Sequence, residues 1–162
     1  MQAAAATARL DDRRLREAFG RFATGVAFVT TEVAGAPLGL IVSSFTAVSL
    51  EPPLVSFCPA RDSFTWRRMR ASGRFAVHVL GARHGDFARR AAAPGAERFA
   101  EPLSGALAVI ECDLEAEYPG GDHSIVVGRV RDLRVNCEPE PLVYFAGGFG
   151  AFHPTEKEHP CP

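Results

Sequence analysis

From Ala108 to Tyr118 the chain alternates between two kinds of residue. Ala108, Ile110, Cys112, Leu114, Ala116 and Tyr118 fall on one face; Val109, Glu111, Asp113, Glu115 and Glu117 fall on the other. A period of two predicts a half-buried β-strand, because successive side chains of a strand point to opposite faces. Pro119-Gly120-Gly121 predicts a turn. The chain then returns over Ser124–Val135, with Val126, Gly128 and Val130 on one face and Arg129 and Arg131 on the other. Setting Leu114 opposite Gly128 matches the two apolar faces. It also sets Asp113 opposite Arg129 and Glu111 opposite Arg131. Cross-strand ion pairing on a wet face then accounts for the acidic stripe without any catalytic role. After Arg131 the apolar phase slips to Leu133 and Val135, which predicts a bulge.

The rest of the chain reads as shorter elements. Asp11 or Asp12 can cap a first helix, whose apolar positions Leu15, Phe19 and Phe22 recur at i, i+4 and i+7. Arg13, Arg14, Arg16 and Arg21 share that helix, and an arginine-rich face is ordinarily a solvated one. Val26–Val33 is β-branched and aromatic, Ala34-Gly35-Ala36-Pro37 reads as a turn, and Leu38–Phe45 returns as the second strand of a hairpin. Leu54–Cys58 and Phe75–Leu80 are further strands. Between them Ser63 can cap a helix over Phe64–Ala71, with Gly73 at its stop. His84–Ala93 predicts a helix ended by Pro94-Gly95. Leu142–Phe145 is a last strand, and Gly147-Gly148-Phe149-Gly150 reads as a C-terminal turn. Six or seven antiparallel strands with two or three short α-helices predict a mainly β fold, a small Greek-key-like barrel. One domain is expected over residues 11–152, with residues 1–10 and 153–162 as disordered flanks.

Composition narrows the chemistry. A net charge of −1 offers no broad attraction to nucleic acid or to an anionic membrane. No apolar run approaches the roughly 20 residues of a membrane helix. The N-terminus becomes charged at once and lacks a signal core, so a cytoplasmic protein is expected. Cys58, Cys112, Cys137 and Cys161 are scattered with no CxxC or CxxH pairing, so no metal site is expected. There is no GxSxG elbow, no GxGxxG after a strand and no Walker A loop. Any redox or nucleotide chemistry must use another kind of site.

One stretch is unusual. Between the strands that begin at Leu38 and Leu54, hydroxyls crowd at Ser43, Ser44, Thr46 and Ser49 before Pro52-Pro53. A buried hydroxyl needs a hydrogen-bond partner, supplied by the backbone or by a ligand.

Six segments resemble, in order and spacing, the short-chain flavin reductases, the reductase components of two-component flavin monooxygenases. They are FGRFATGVAFVTT (Phe19–Thr31), GLIVSSFTAVSLEPPLV (Gly39–Val55), SGRFAVHVL (Ser72–Leu80), GALAVIEC (Gly105–Cys112), GGDHSIVVGRV (Gly120–Val130) and PLVYFAGGF (Pro141–Phe149). The resemblance implies a split β-barrel, usually a homodimer, that uses NADH or NADPH to reduce FMN or FAD for a partner oxygenase. It places Ile41, Val42, Ser43, Ser44 and Ser49 along the flavin. It places Cys58, Ser63 and Thr65 at the phosphate end, where a helix start has free N–H groups. It places His123 where the nicotinamide docks. Hydride transfer between two cofactors needs positioning more than acid–base groups, so a short catalytic list is expected.

The chain departs from the family pattern in four places. Ile41 stands where Thr is frequent, and His78 stands where Asn is frequent, here expected to be a core histidine. The segment from Phe99 to Gly105 is short. Ala146-Gly147-Gly148-Phe149 lacks a basic residue often found there. These departures keep two rival readings open: a flavin-binding split barrel without reductase turnover, and an oxidase or oxygenase that retains its flavin.

Overall fold

The structure is a computed structural model of the full chain, and it describes residues 11–93, 103–137 and 140–152. The expected disordered flanks, 1–10 and 153–162, lie outside the described residues, as do His153, His159 and Cys161. The chain order is α1 (Asp12–Phe19), β1 (Thr24–Gly25), β2 (Ala27–Val33), β3 (Ala36–Val42), β4 (Thr46–Leu50), β5 (Pro53–Phe57), α2 (Phe64–Met69), β6 (Arg74–Val79), α3 (Gly85–Ala92), β7 (Ala108–Gly120), β8 (His123–Val135), β9 (Leu142–Phe145) and β10 (Gly148–Ala151). Seven strands form one antiparallel sheet in the order β3-β2-β6-β7-β8-β5-β4, and β1-β9-β10 form a second. The mainly β, antiparallel expectation holds, with more strands than the sequence suggested.

The sheet rolls around one main core. Phe57, Phe75 and Trp66 meet edge to face, with ring centroids 5.3 Å apart in both the Phe57–Trp66 and Phe57–Phe75 pairs. Val29, Val77, Met69 and Val126 fill in around them. A second cluster, Val26, Phe28, Leu80, Ala88 and Leu142, ties α3 and the small sheet to the back of β2. Trp66 and Met69 come from α2 and Ala88 from α3; in the period-two strands Cys112 and Val126 are buried on the face the pattern assigned.

Leu114 does pair with Gly128, and Asp113 with Arg129. Beyond them the register corrects the sequence. Glu111 sits opposite Asp132, not Arg131, because Arg131 is itself the bulged residue. A second bulge falls at Glu115, between the Leu114–Gly128 and Ala116–Val127 pairs. The ion pairs run along the diagonals that strand twist brings together: Glu115–Arg129 at 2.7 Å, Asp113–Arg131 at 2.7 Å and Glu111–Arg134 at 3.7 Å. The hydrogen bond from Arg129 holds the Glu115 carboxyl below its usual range. The Glu115 bulge also reverses the facing of the hairpin tip. Tyr118, assigned to the apolar face, is exposed, and Glu117 instead accepts from the Trp66 indole N–H at 3.3 Å.

Three further corrections matter. The strand read as Leu38–Phe45 ends at Val42, and Thr46–Leu50 forms its own edge strand on β5. The glycine cluster is a two-residue turn, Ala146-Gly147, followed by β10; φ is positive at both turn residues, as a tight hairpin requires. The α1 helix buries none of its residues; Phe19 and Phe22 are 71% and 77% exposed. The 3.6-residue pattern there marks a rim, as described below, rather than a core face.

Candidate functional site

β3 and β4 lie at the two ends of the sheet order, so each has one strand neighbour only. Between them Ser43–Phe45 crosses the gap. The outer edge of β3 therefore presents backbone N–H and C=O groups that no strand takes up. A cleft of about 560 Å³ opens along it. Ile41, Val42, Ser43, Ser44, Cys58, Ser63 and His123 line this cleft, seven of the nine residues expected to form a site. Ser49 and Thr65 do not. Ser49 lies past an irregularity in β4 and pairs with Leu54, while Thr65 follows Ser63 inside α2.

The hydroxyls divide by role. Ser44 Oγ accepts from the backbone N–H of Cys58 at 2.8 Å, so its first duty is to join the ends of β3 and β5. Ser63 Oγ accepts from Trp66 N–H at 3.2 Å and caps α2. Ser43 is exposed, and its side chain makes no hydrogen bond of this kind among the described residues. Of the crowded hydroxyls, Ser44 serves the backbone through Cys58 and Thr46 by donating to Ala47 O at 3.3 Å, and Ser43 is left facing the opening. Sequence reading missed the opposite wall, made by Pro59, Ala60 and the α3 residues Ala91 and Ala92. The run of alanines at positions 91–93 was the available signal: small side chains leave room.

His123 is brought in by the tip of the β7–β8 hairpin. Gly121 has φ +72°, which favours glycine and turns the chain there. The tip is then clamped to the segment after β5. Ser124 N–H donates to Pro59 O and Arg61 N–H to Asp122 O, each at 2.9 Å, and the Arg61 guanidinium donates to Gly121 O at 3.3 Å. The His123 ring Nδ1 lies 2.8 Å from Asp122 Oδ1. That hydrogen bond, with the charge of His123 and more weakly of Arg16, holds the Asp122 carboxyl below its usual range.

A larger cleft, about 880 Å³, adjoins the first. Its walls come from the end of α1 and from the small sheet: Arg16, Phe19, Arg21, Phe22, Thr24 and Tyr144 among others. Ser43 and His123 line both clefts, so the two meet at these residues. Thr24 Oγ1 in this wall and His78 Nδ1 are buried with no hydrogen-bond partner among the described residues. His78 lines neither cleft; its Nε2 lies 2.9 Å from Thr30 Oγ1. Burial pushes its pKa down, helped by Arg134, as a core histidine requires. Among the described residues no three His, Cys, Asp or Glu side chains gather as metal ligands. No helix there is long and apolar enough to cross a membrane.

The flavin reductase like domain family matches residues 19–153. The chain belongs to that family. It is 38% identical to the reductase subunit HsaB of a flavin-dependent monooxygenase from Rhodococcus jostii, over 98% of this chain and 87% of that protein. The crystal structure of nitrilotriacetate monooxygenase component B from Mycobacterium thermoresistibile superposes with a TM-score of 0.85 at 36% identity, covering 94% of this chain and 92% of that one. The NADH:FAD oxidoreductase SgcE6 of Streptomyces globisporus, solved with NAD and FAD fragments, also has a TM-score of 0.85, at 34% identity over 91% of this chain and 96% of that one. The split-barrel expectation is met by these neighbours, and the flavin reductase family by the sequence match.

Proposed function

We propose that the smaller cleft takes up FMN or FAD and the larger one NADH or NADPH, and that the chain is an NAD(P)H:flavin oxidoreductase supplying reduced flavin to a partner oxygenase. The observation that carries this reading is that the two clefts share Ser43 and His123. Two reactants held in adjoining clefts meet at their common wall, which is what a transfer between them needs.

The residues fit the groups. The free edge of β3 at Ile41 and Val42 offers backbone donors and acceptors to the polar edge of a planar ring. This makes the loss of a threonine hydroxyl at Ile41 tolerable. Leu40, Val42, Ala91 and Ala92 give the ring apolar walls. Ser44 fixes the floor through Cys58, and Ser63 stands toward the phosphate end. A bound flavin supplies the hydride-accepting ring; the chain supplies position. His123, anchored through Asp122, orients the nicotinamide against the common wall.

We also propose a homodimer in a reducing, cytoplasmic setting. Val48 and Leu50 stand exposed on the free edge strand β4, Leu50 at 92%, and a second copy would cover them. Cys58, Cys112 and Cys137 are all free thiols, as expected where disulfides do not form.

His123→Ala tests the assignment. We expect kcat/KM for NADH to fall by about tenfold, the worth of one good hydrogen bond, while flavin affinity stays within about twofold. Unchanged nicotinamide kinetics would remove His123 from the site. Wild-type protein that binds flavin yet shows no flavin-stimulated NADH or NADPH oxidation would sink the reductase reading altogether.

A further inference from the structure

The arginines of α1 are not accounted for by the proposed reaction centre. Four lie in or just after that helix, and two of them, Arg16 and Arg21, line the larger cleft. We infer that Arg16 and Arg21 form the site for the diphosphate of the nicotinamide dinucleotide, holding it at the rim of the larger cleft while the nicotinamide reaches inward to His123. This rests on the reading of the larger cleft as the dinucleotide site.

Position comes first. Arg16 and Arg21 share a cleft wall with His123, so a ligand seated at His123 and extending outward passes α1. Arg16 is close enough to lower the pKa of Asp122, the anchor of His123. A dinucleotide has its two phosphates between two ribosides, and the charge belongs mid-ligand, away from the ring that reacts.

Availability comes second. Both arginines are exposed, and among the described residues the Arg21 side chain pairs with Glu17 alone, at 4.0 Å. An exposed pair at that distance is worth little and yields readily to a dianion. Among the described residues Arg16 has no carboxylate at ion-pair distance. Glu17, which lines the cleft, and Asp122, whose charge Arg16 reaches, both oppose an anion, but among the described residues neither pairs with Arg16 at ion-pair distance.

The local backbone is the third point. The carbonyl end of a helix disfavours anions. Here three of those carbonyls are taken: Arg16 O accepts from Gly20 N–H at 2.9 Å, Ala18 O from Arg21 N–H at 3.1 Å and Phe19 O from Phe22 N–H at 3.1 Å. Gly20 O accepts from Ala146 N–H at 2.8 Å, which pins the helix end to the β9–β10 turn. The arginines thus stand on a fixed support, with three of the carbonyls that would oppose an anion turned to backbone donors. Guanidinium groups are suited to diphosphate because their paired N–H donors match its oxygens. Phe19 and Phe22, exposed beside them, offer ring faces on which the adenine can stack.

The test compares wild type with Arg16→Gln/Arg21→Gln, which disturbs no buried residue. ADP-ribose, carrying the diphosphate without the reactive ring, is titrated calorimetrically into the flavin-loaded protein. Its affinity should fall about tenfold or more in the variant, as charge-assisted contacts are lost. In steady state the KM for NADH should rise by about the same factor, with kcat within about twofold. Oxidation of 1-benzyl-1,4-dihydronicotinamide, which has no phosphate, should be unchanged. Equal ADP-ribose affinity in the two proteins, or no binding by wild type, would overturn the inference. So would equal losses with NADH and with the benzyl compound, since the arginines would then only shape the cleft. The calorimetric comparison stands even if wild type oxidises no nicotinamide, so failure of the reductase reading is told apart from failure of this one.

Discussion

A Ser43→Phe variant will fold as wild type does and lose about 100-fold or more of its flavin-dependent NADH oxidation. The reason is where Ser43 stands. It lies just past the end of β3, is exposed, and lines both clefts. Because Ser43 is exposed at a loop, a larger side chain there displaces no core group. It does fill the junction where the two reactants must approach, and a displacement of about 1 Å can cost 100-fold when proximity is the main catalytic device. Thermal melting should move little, flavin binding should weaken, and the turnover of whatever flavin binds should collapse. Ser43→Ala is the companion. It opens rather than blocks the junction and should keep most of the activity. Full activity in Ser43→Phe would show that the reactants do not meet at this wall.

Gly128→Val will have the largest effect on stability. Gly128 lies under the Phe75 ring, on the buried face of β8 opposite Leu114. A Cβ there would come within 2.4 Å of Phe75 Cζ and 3.1 Å of Cys112 Cβ. Neither neighbour has room: Phe75 packs on Phe57 and both are buried, as is Cys112, whose thiol burial pushes up to about 12. Overpacking of this kind costs about 3 kcal/mol. In a chain of this size that lowers the melting temperature by roughly 10 °C. Gly150→Ala serves as the control, since nothing lies within 4 Å of its Cβ position. It should change stability by less than about 1 kcal/mol. If both substitutions melt alike, the loss would come from strand glycines in general and not from the Phe75 contact.

The sheet core was readable in β7 and β8, where one face is buried and the period of two reports that directly, whereas β2 is buried on both faces. The Leu114–Gly128 pairing followed from matching apolar faces alone. The bulge at Arg131 showed as the slip of the apolar phase to Leu133 and Val135, but its effect on the Glu111 pairing did not, and the bulge at Glu115 hid the register of the hairpin tip. A single extra residue moves every later side chain to the other face, and the acidic run shows no mark at Glu115. The short strand β4 was hidden by its hydroxyls, which read as loop.

The hydroxyls of the run Ile41–Ser44 raised the question of a ligand, and the resemblance to the flavin reductases is what named most residues of the smaller cleft. Its far wall, and all of the larger cleft apart from Ser43 and His123, were not legible. Those walls bring together α1, the β7–β8 turn and the β9–β10 turn, which lie far apart along the chain. Phe19 and Phe22 repeat at helical spacing just as core residues would, and only the fold tells rim from core. The α1 arginines looked like a solvated face for the same reason.

The central claim is that flavin and nicotinamide meet at the wall shared by Ser43 and His123. A crystal structure of the protein soaked with FMN or FAD and NAD⁺ tests it most directly. The flavin ring should lie along Ile41–Ser44 with the nicotinamide between it and His123. Flavin density anywhere else on the barrel, or a nicotinamide that does not touch His123, would contradict it.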